Sequence, residues 1–120
     1  MSSKAVITVC GELPPGDLGA VLAHEHLICD FTLTGGQPQD RISDWTVIPH
    51  ELEILKKAGG GAIFELTPLG LGDNPQALKK VSAASSVPIV HGISFYVEEL
   101  SKVGMVGHVA GDRGFLRAAY

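Results

Sequence analysis

Apolar and polar positions divide this chain into short runs of two kinds. Ala5-Val6-Ile7-Thr8-Val9 is β-branched and short, the signature of a strand. Pro14-Pro15-Gly16-Asp17 is a turn, and Ala20-Val21-Leu22-Ala23 then reads as a second strand, so the two predict a hairpin-like entry. From Trp45 to Ala58 the period becomes helical: Val47, Ile48, Leu52, Ile54, Leu55 and Ala58 recur at roughly one-turn spacing. Asp44 stands where a cap belongs, Lys56 and Lys57 suit the last turn, and Gly59-Gly60-Gly61 ends the helix. His50 falls on its more polar side, as a surface residue.

Ala62-Ile63-Phe64-Glu65-Leu66 follows as a mostly apolar strand, the pattern expected where both faces are covered. Asp73-Asn74-Pro75 provides a cap and a first-turn proline for a second helix through Leu78, Val81, Ser82 and Ser85. Val87 to Val90 is a further strand, Val103 to Ala110 reads as another, and Gly111-Asp112-Arg113-Gly114 as a turn. Between Thr32 and Ser43 no apolar period exists; this loop is either a cover over the mouth of a site or a plain connector. Strands alternating with helices place the chain in the α/β class.

Composition narrows the function classes. Hydrophobic residues are 45% and charged residues 18%, a globular balance on the apolar side, and fifteen glycines and seven prolines suit many short turns. A net charge of -4 leaves no basic footprint, so neither nucleic acid nor an anionic membrane is an expected partner. No Gly-Lys-Ser/Thr phosphate loop occurs. The apolar stretch after Lys4 is too short for a signal-peptide core or a membrane span. Cys10 and Cys29 lie in apolar, strand-like contexts and read as small buried thiols of a reducing compartment, which makes the cytoplasm the expected location.

The chemistry is concentrated in His24-Glu25-His26, at the end of the apolar run Gly19 to Ala23. Successive strand side chains point to opposite faces, so His24 and His26 share one face and Glu25 takes the other. Two neutral imidazoles so placed can converge on one cation, but two nitrogens do not complete a tetrahedral shell. On residue types alone, half a metal site and a strand-capping histidine pair are even alternatives. Glu65, inside an apolar strand, needs partners if buried: it either points towards a site or is held by neighbouring donors. His91, at the end of its strand, is a ligand candidate on position, though a packed or pocket-wall histidine is the more common outcome.

Three blocks in order carry a family resemblance. Leu18-Gly19 with Leu22-Ala23-His24-Glu25-His26-Leu27 and Asp30, after Thr8-Val9-Cys10-Gly11-Glu12-Leu13-Pro14, resembles the opening of the phosphotriesterase-like family of the amidohydrolase superfamily. Gly60-Gly61-Ala62-Ile63-Phe64-Glu65-Leu66-Thr67-Pro68-Leu69-Gly70-Leu71-Gly72 resembles its second barrel strand and Gly-rich loop, and Val87-Pro88-Ile89-Val90-His91-Gly92, ending in Phe95-Tyr96, its third strand. The resemblance covers residues 1–98, and the tail 99–120 has no counterpart.

The resemblance implies the N-terminal part of a (β/α)8 TIM barrel, three to four strands preceded by a short β-hairpin, in a single partial domain over 1–120. It implies a hydrolase that cleaves lactone, ester or phosphotriester bonds with a metal-bound hydroxide. Two divalent ions, usually zinc, serve the complete site. Of the family's ligands, His24 and His26 are the pair that maps here, with Glu65 supporting the site rather than ligating and His91 lining the pocket. Asp73 departs from the family, where a basic residue often follows the Gly-rich loop.

Length bears on activity. A (β/α)8 barrel takes about 250 residues, and this chain has 120. The expectation is a fragment that is inactive alone, since most of the ligand set is missing. Two other readings stand beside it. One is a non-catalytic product that self-associates as a homo-oligomer, or binds a full-length partner, through open strand edges. The other is a small zinc-binding module built on His24, His26 and His91.

Overall fold

The computed structural model describes residues 4–94. The strand expected at 103–110, the turn after it and the tail 99–120 lie outside the described residues.

The chain opens with a tight hairpin of β1 (Val6–Thr8) and β2 (Gly11–Leu13), with Val6 opposite Leu13 and Thr8 opposite Gly11. The reversal therefore comes at Val9-Cys10, and the partner of the first strand is Gly11–Leu13 rather than Ala20-Val21-Leu22-Ala23. The cause is local. Gly11 takes φ +129°, a conformation costly for other residues, and the Thr8 hydroxyl donates to the Gly11 carbonyl at 2.7 Å. Pro15–Asp17 then forms a single 3-10 turn that leads away from the hairpin.

The next strand, β3 (Ala20–Glu25), belongs to a different sheet. After it come β4 (Cys29–Asp30) and β5 (Arg41–Ile42), a two-residue antiparallel pair. The stretch expected to lack structure is thus a small closed loop, with a 3-10 turn at Phe31–Thr34. Helix α1 (Ile48–Lys57) starts three residues later than the apolar period suggested. Asp44 instead receives the Thr46 amide at 3.1 Å, making a turn before the helix, and Pro49 then lies in the first helical turn, where its missing N–H is harmless.

Strand β6 (Gly60–Glu65), helix α2 (Pro75–Ser85) and strand β7 (Ile89–His91) complete the described fold. Asn74 caps α2 as the sequence predicts, its side chain accepting the Ala77 amide at 3.0 Å. The sheet order is β3-β6-β7, all parallel. Three parallel strands in chain order, joined by helical crossovers and not closed on themselves, are the N-terminal part of a (β/α)8 barrel with a β-hairpin ahead of it.

Both helices pack on the sheet through one cluster: Ile48 and Leu52 of α1, Leu78 and Val81 of α2, and Ile63 and Ile89 of the strands. Burying a side chain of this size contributes about 1.5–3 kcal/mol, so the cluster anchors the sheet. Ile54 lies two positions beyond Leu52, nearly opposite on the helix, and is 61% exposed. Among the described residues no helix is long and apolar enough to cross a membrane.

Candidate metal-ligand pair and its support

The strand that carries the two histidines is irregular at the place that matters. Leu22 pairs with Ile63 and Glu25 with Glu65, so three steps along β3 match two along β6. One residue is extra, the condition for a β-bulge. Ile63 belongs to the helix-facing core, and Glu65 shares its parity along β6. Glu25 lies beside Glu65, which turns His24 and His26 to the face away from the helices. Without the extra residue His24 would share the helix-facing parity of Leu22.

On that face both histidines are exposed and adjacent, their ring centroids 5.3 Å apart with the planes at 72°. Behind them lies Glu65, fully buried. Its carboxylate accepts the Leu27 amide at Oε1 (3.2 Å), the Thr67 amide at Oε2 (3.2 Å) and the Thr67 hydroxyl at Oε1. The carboxylate is therefore held by neighbouring donors and does not point into the open barrel face. Thr67 Oγ1 in turn lies 3.2 Å from His26 Nδ1. The chain Glu65–Thr67–His26 links the ends of two strands.

Thr67 is the member that the sequence reading missed. The signal was present: a hydroxyl residue two positions after a buried acid, at the C-terminal end of a parallel strand and directly before a proline. That end is where barrel enzymes build their sites.

His91 lies elsewhere. Its Nε2 is buried, has no hydrogen-bond partner among the described residues, and is 3.8 Å from Asp73 Oδ2. Burial pushes the Asp73 carboxyl above the usual carboxylate range; the His91 imidazole works against that shift and Glu65 adds to it. His91 is thus packed against the loop after β6 and is not brought to the pair. Among the described residues no group of three or more His, Cys, Asp or Glu is placed to hold a metal ion. The donor set present still suits one: two imidazoles share a face, and Thr67 occupies one nitrogen of His26 and leaves the other open.

A cavity of about 570 Å³ opens next to His26, walled by Cys29, Phe31, Thr34, Asp40 and Ile42. The loop that closes it is stitched by Asp30, which accepts the Thr32 amide at 3.0 Å and pairs with Arg41 at 3.2 Å. Cys29 is buried as expected, and burial, then Glu65, pushes its thiol pKa up. Cys10 is exposed, against expectation, because the hairpin turn carries it out to the surface.

Known proteins resemble this chain in sequence and in fold. The profile of the phosphotriesterase family matches residues 4–114. An N-acetyltaurine hydrolase of Xenopus tropicalis is 32% identical over 80% of this chain and 36% of its own length. An organophosphorus hydrolase variant from Deinococcus radiodurans superposes with a TM-score of 0.65 at 30% identity, over 81% of this chain and 30% of that one. A lactonase from Listeria monocytogenes gives a TM-score of 0.71 at 20% identity, over 81% and 30%, and so shares the fold. The chain spans about a third of the length of the relatives it matches.

Proposed function

Because this chain belongs to the phosphotriesterase family of hydrolases, we propose that it carries the first ligand pair, His24 and His26, of a metal-dependent hydrolytic site. The observation behind this reading is the shared exposed face of the two imidazoles, turned there by the extra residue in β3. Nitrogen donors of this kind suit zinc among the common divalent cations. A bound cation supplies Lewis acidity, both to water and to the bond under attack.

The chain's own residues do the rest. His24 and His26 hold the position, and Glu65 fixes the strand end beneath them. The cavity beside His26 receives the substrate; His91, packed against Asp73, is not among the residues that wall it. The substrate class is a small molecule with a carbonyl or phosphoryl centre: a lactone, ester or phosphotriester, or an N-acyl compound by analogy with the relatives' names. Two imidazoles do not complete a metal's shell, and the chain alone is proposed to be inactive. Two free thiols suit a reducing compartment, and the cytoplasm is the proposed location.

Zinc titration of the full chain tests the reading, with His24→Ala and His26→Ala beside it. Both variants should lose affinity sharply; unchanged stoichiometry and affinity in the two would sink it. A second reading has its own support: β3 and β7 each have only one strand neighbour among the described residues. Such edges favour association with another copy or a longer relative. A monodisperse oligomer in sedimentation would favour that reading; a monomer would count against it.

A further inference from the structure

We propose that Thr67 is a positioning residue that fixes the tautomer of His26, keeping its proton on Nδ1 and its free lone pair on Nε2. The consequence for a cation rests on His26 being a ligand; the tautomer itself does not.

An ionised carboxylate only accepts, a backbone amide only donates, and a hydroxyl has one proton to give. With the Glu65 carboxyl ionised, both of its oxygens only accept, and they take the Leu27 amide at Oε1 and the Thr67 amide at Oε2. The Thr67 hydroxyl donates its single proton to Oε1. Nothing is left to give to His26, so the proton in the 3.2 Å contact with His26 must come from Nδ1. A neutral imidazole has one N–H, and Nε2 is therefore the bare nitrogen.

The backbone makes this arrangement rigid. Thr67 is 1% exposed and β-branched, which limits its χ1. Pro68 follows and confines residue 67 to extended backbone. The hydroxyl thus has a fixed direction, set by Glu65 on one side and read by His26 on the other. A ligand held in one tautomer binds a cation without first being sorted, and loss of such outer partners lowers metal affinity about 10–100-fold.

The simpler role would be for Thr67 to satisfy Glu65 alone, with no effect on the imidazole. Long-range ¹H–¹⁵N spectra of the metal-free full chain, with labelled histidine, separate the two. Spectra would be taken about two pH units above the ordinary histidine pKa, with His26 assigned by its loss in His26→Gln. In the parent, His26 should show a protonated Nδ1 and a bare Nε2. Thr67→Val should bring the averaged pattern of two exchanging tautomers, and Thr67→Ser should restore the single form.

Zinc affinity, with the metal alone as the probe, should fall about 10–100-fold in Thr67→Val and recover in Thr67→Ser. A bare Nδ1 in the parent overturns the proposal even if Thr67→Val fails to fold. An unchanged tautomer in a folded Thr67→Val overturns it as well. If the tautomer responds as stated while zinc binding is indifferent to both Thr67→Val and His26→Ala, the relay stands and the ligand assignment falls.

Discussion

Glu65 accepts the backbone amide of Leu27 at 3.2 Å, which ties the end of β6 to the residue after His26. The carboxylate is fully buried, and its other bonds go to Thr67. One side chain thus holds both the strand end that carries the histidines and the loop that begins the Gly-rich segment. This placement explains why an acid is found in an otherwise apolar strand.

Removing that carboxylate should therefore be costly. Glu65→Leu leaves the Leu27 and Thr67 amides without their acceptor, at about 1–3 kcal/mol for each buried donor left unpaired. Glu65→Gln keeps one acceptor oxygen and should lose less. Urea unfolding of the two variants would show a lower midpoint for Leu than for Gln, both below the parent at unchanged slope. Equal midpoints in all three would mean that the carboxylate holds nothing.

A close backbone approach makes a second prediction. A Cβ on Gly61 would meet the Leu18 carbonyl oxygen at 2.2 Å and Gly19 Cα at 2.9 Å, both main-chain atoms that cannot swing aside. Gly61→Ala should destabilise by about 1–3 kcal/mol through overpacking where β6 passes the start of β3. Gly16→Ala is the control, since nothing lies within 4 Å of its added carbon. Thermal melts of the pair should differ by several degrees.

The thiols report on the fold around the cavity. Cys10 is exposed, while Cys29 is 2% exposed with its pKa raised by burial and then by Glu65. The thiolate is the reactive form, so both effects protect Cys29. A small alkylating reagent should label Cys10 promptly and Cys29 only on unfolding, as read by mass spectrometry. Equal labelling would mean that the loop between β4 and β5 does not close.

Much of this was legible in the sequence because it rested on local rules. Asn74-Pro75 started α2, the glycines after Lys57 stopped α1, and the two-residue period put His24 and His26 on one face. The hairpin was misread because Pro14-Pro15 is the louder turn signal, whereas the reversal depends on the positive φ of Gly11 and one threonine hydroxyl. The bulge in β3 was invisible, since it exists only relative to β6. Thr67 carries a local signal in its place before Pro68, but its role is defined by Glu65 and His26, the latter 41 positions away in sequence.

Asp73 and His91 give a pH-dependent prediction whose sign can be worked out. The folded protein holds the Asp73 proton more tightly than the ordinary 3.8, chiefly through burial, with His91 opposing and Glu65 reinforcing. A raised carboxyl contributes stability that is fully present below its unfolded pKa and is lost as pH rises through the folded value. At neutral pH the ionised, largely buried carboxylate is therefore a net burden. Asp73→Asn cannot ionise, so it should be more stable than the parent at about pH 7 and lose that advantage near about pH 3. His91→Phe removes the opposing influence and should move the Asp73 titration further up, as followed by the carboxyl carbon in NMR. If Asp73→Asn were instead less stable at neutral pH, the 3.8 Å contact with His91 would have to act as a formed ion pair that outweighs burial.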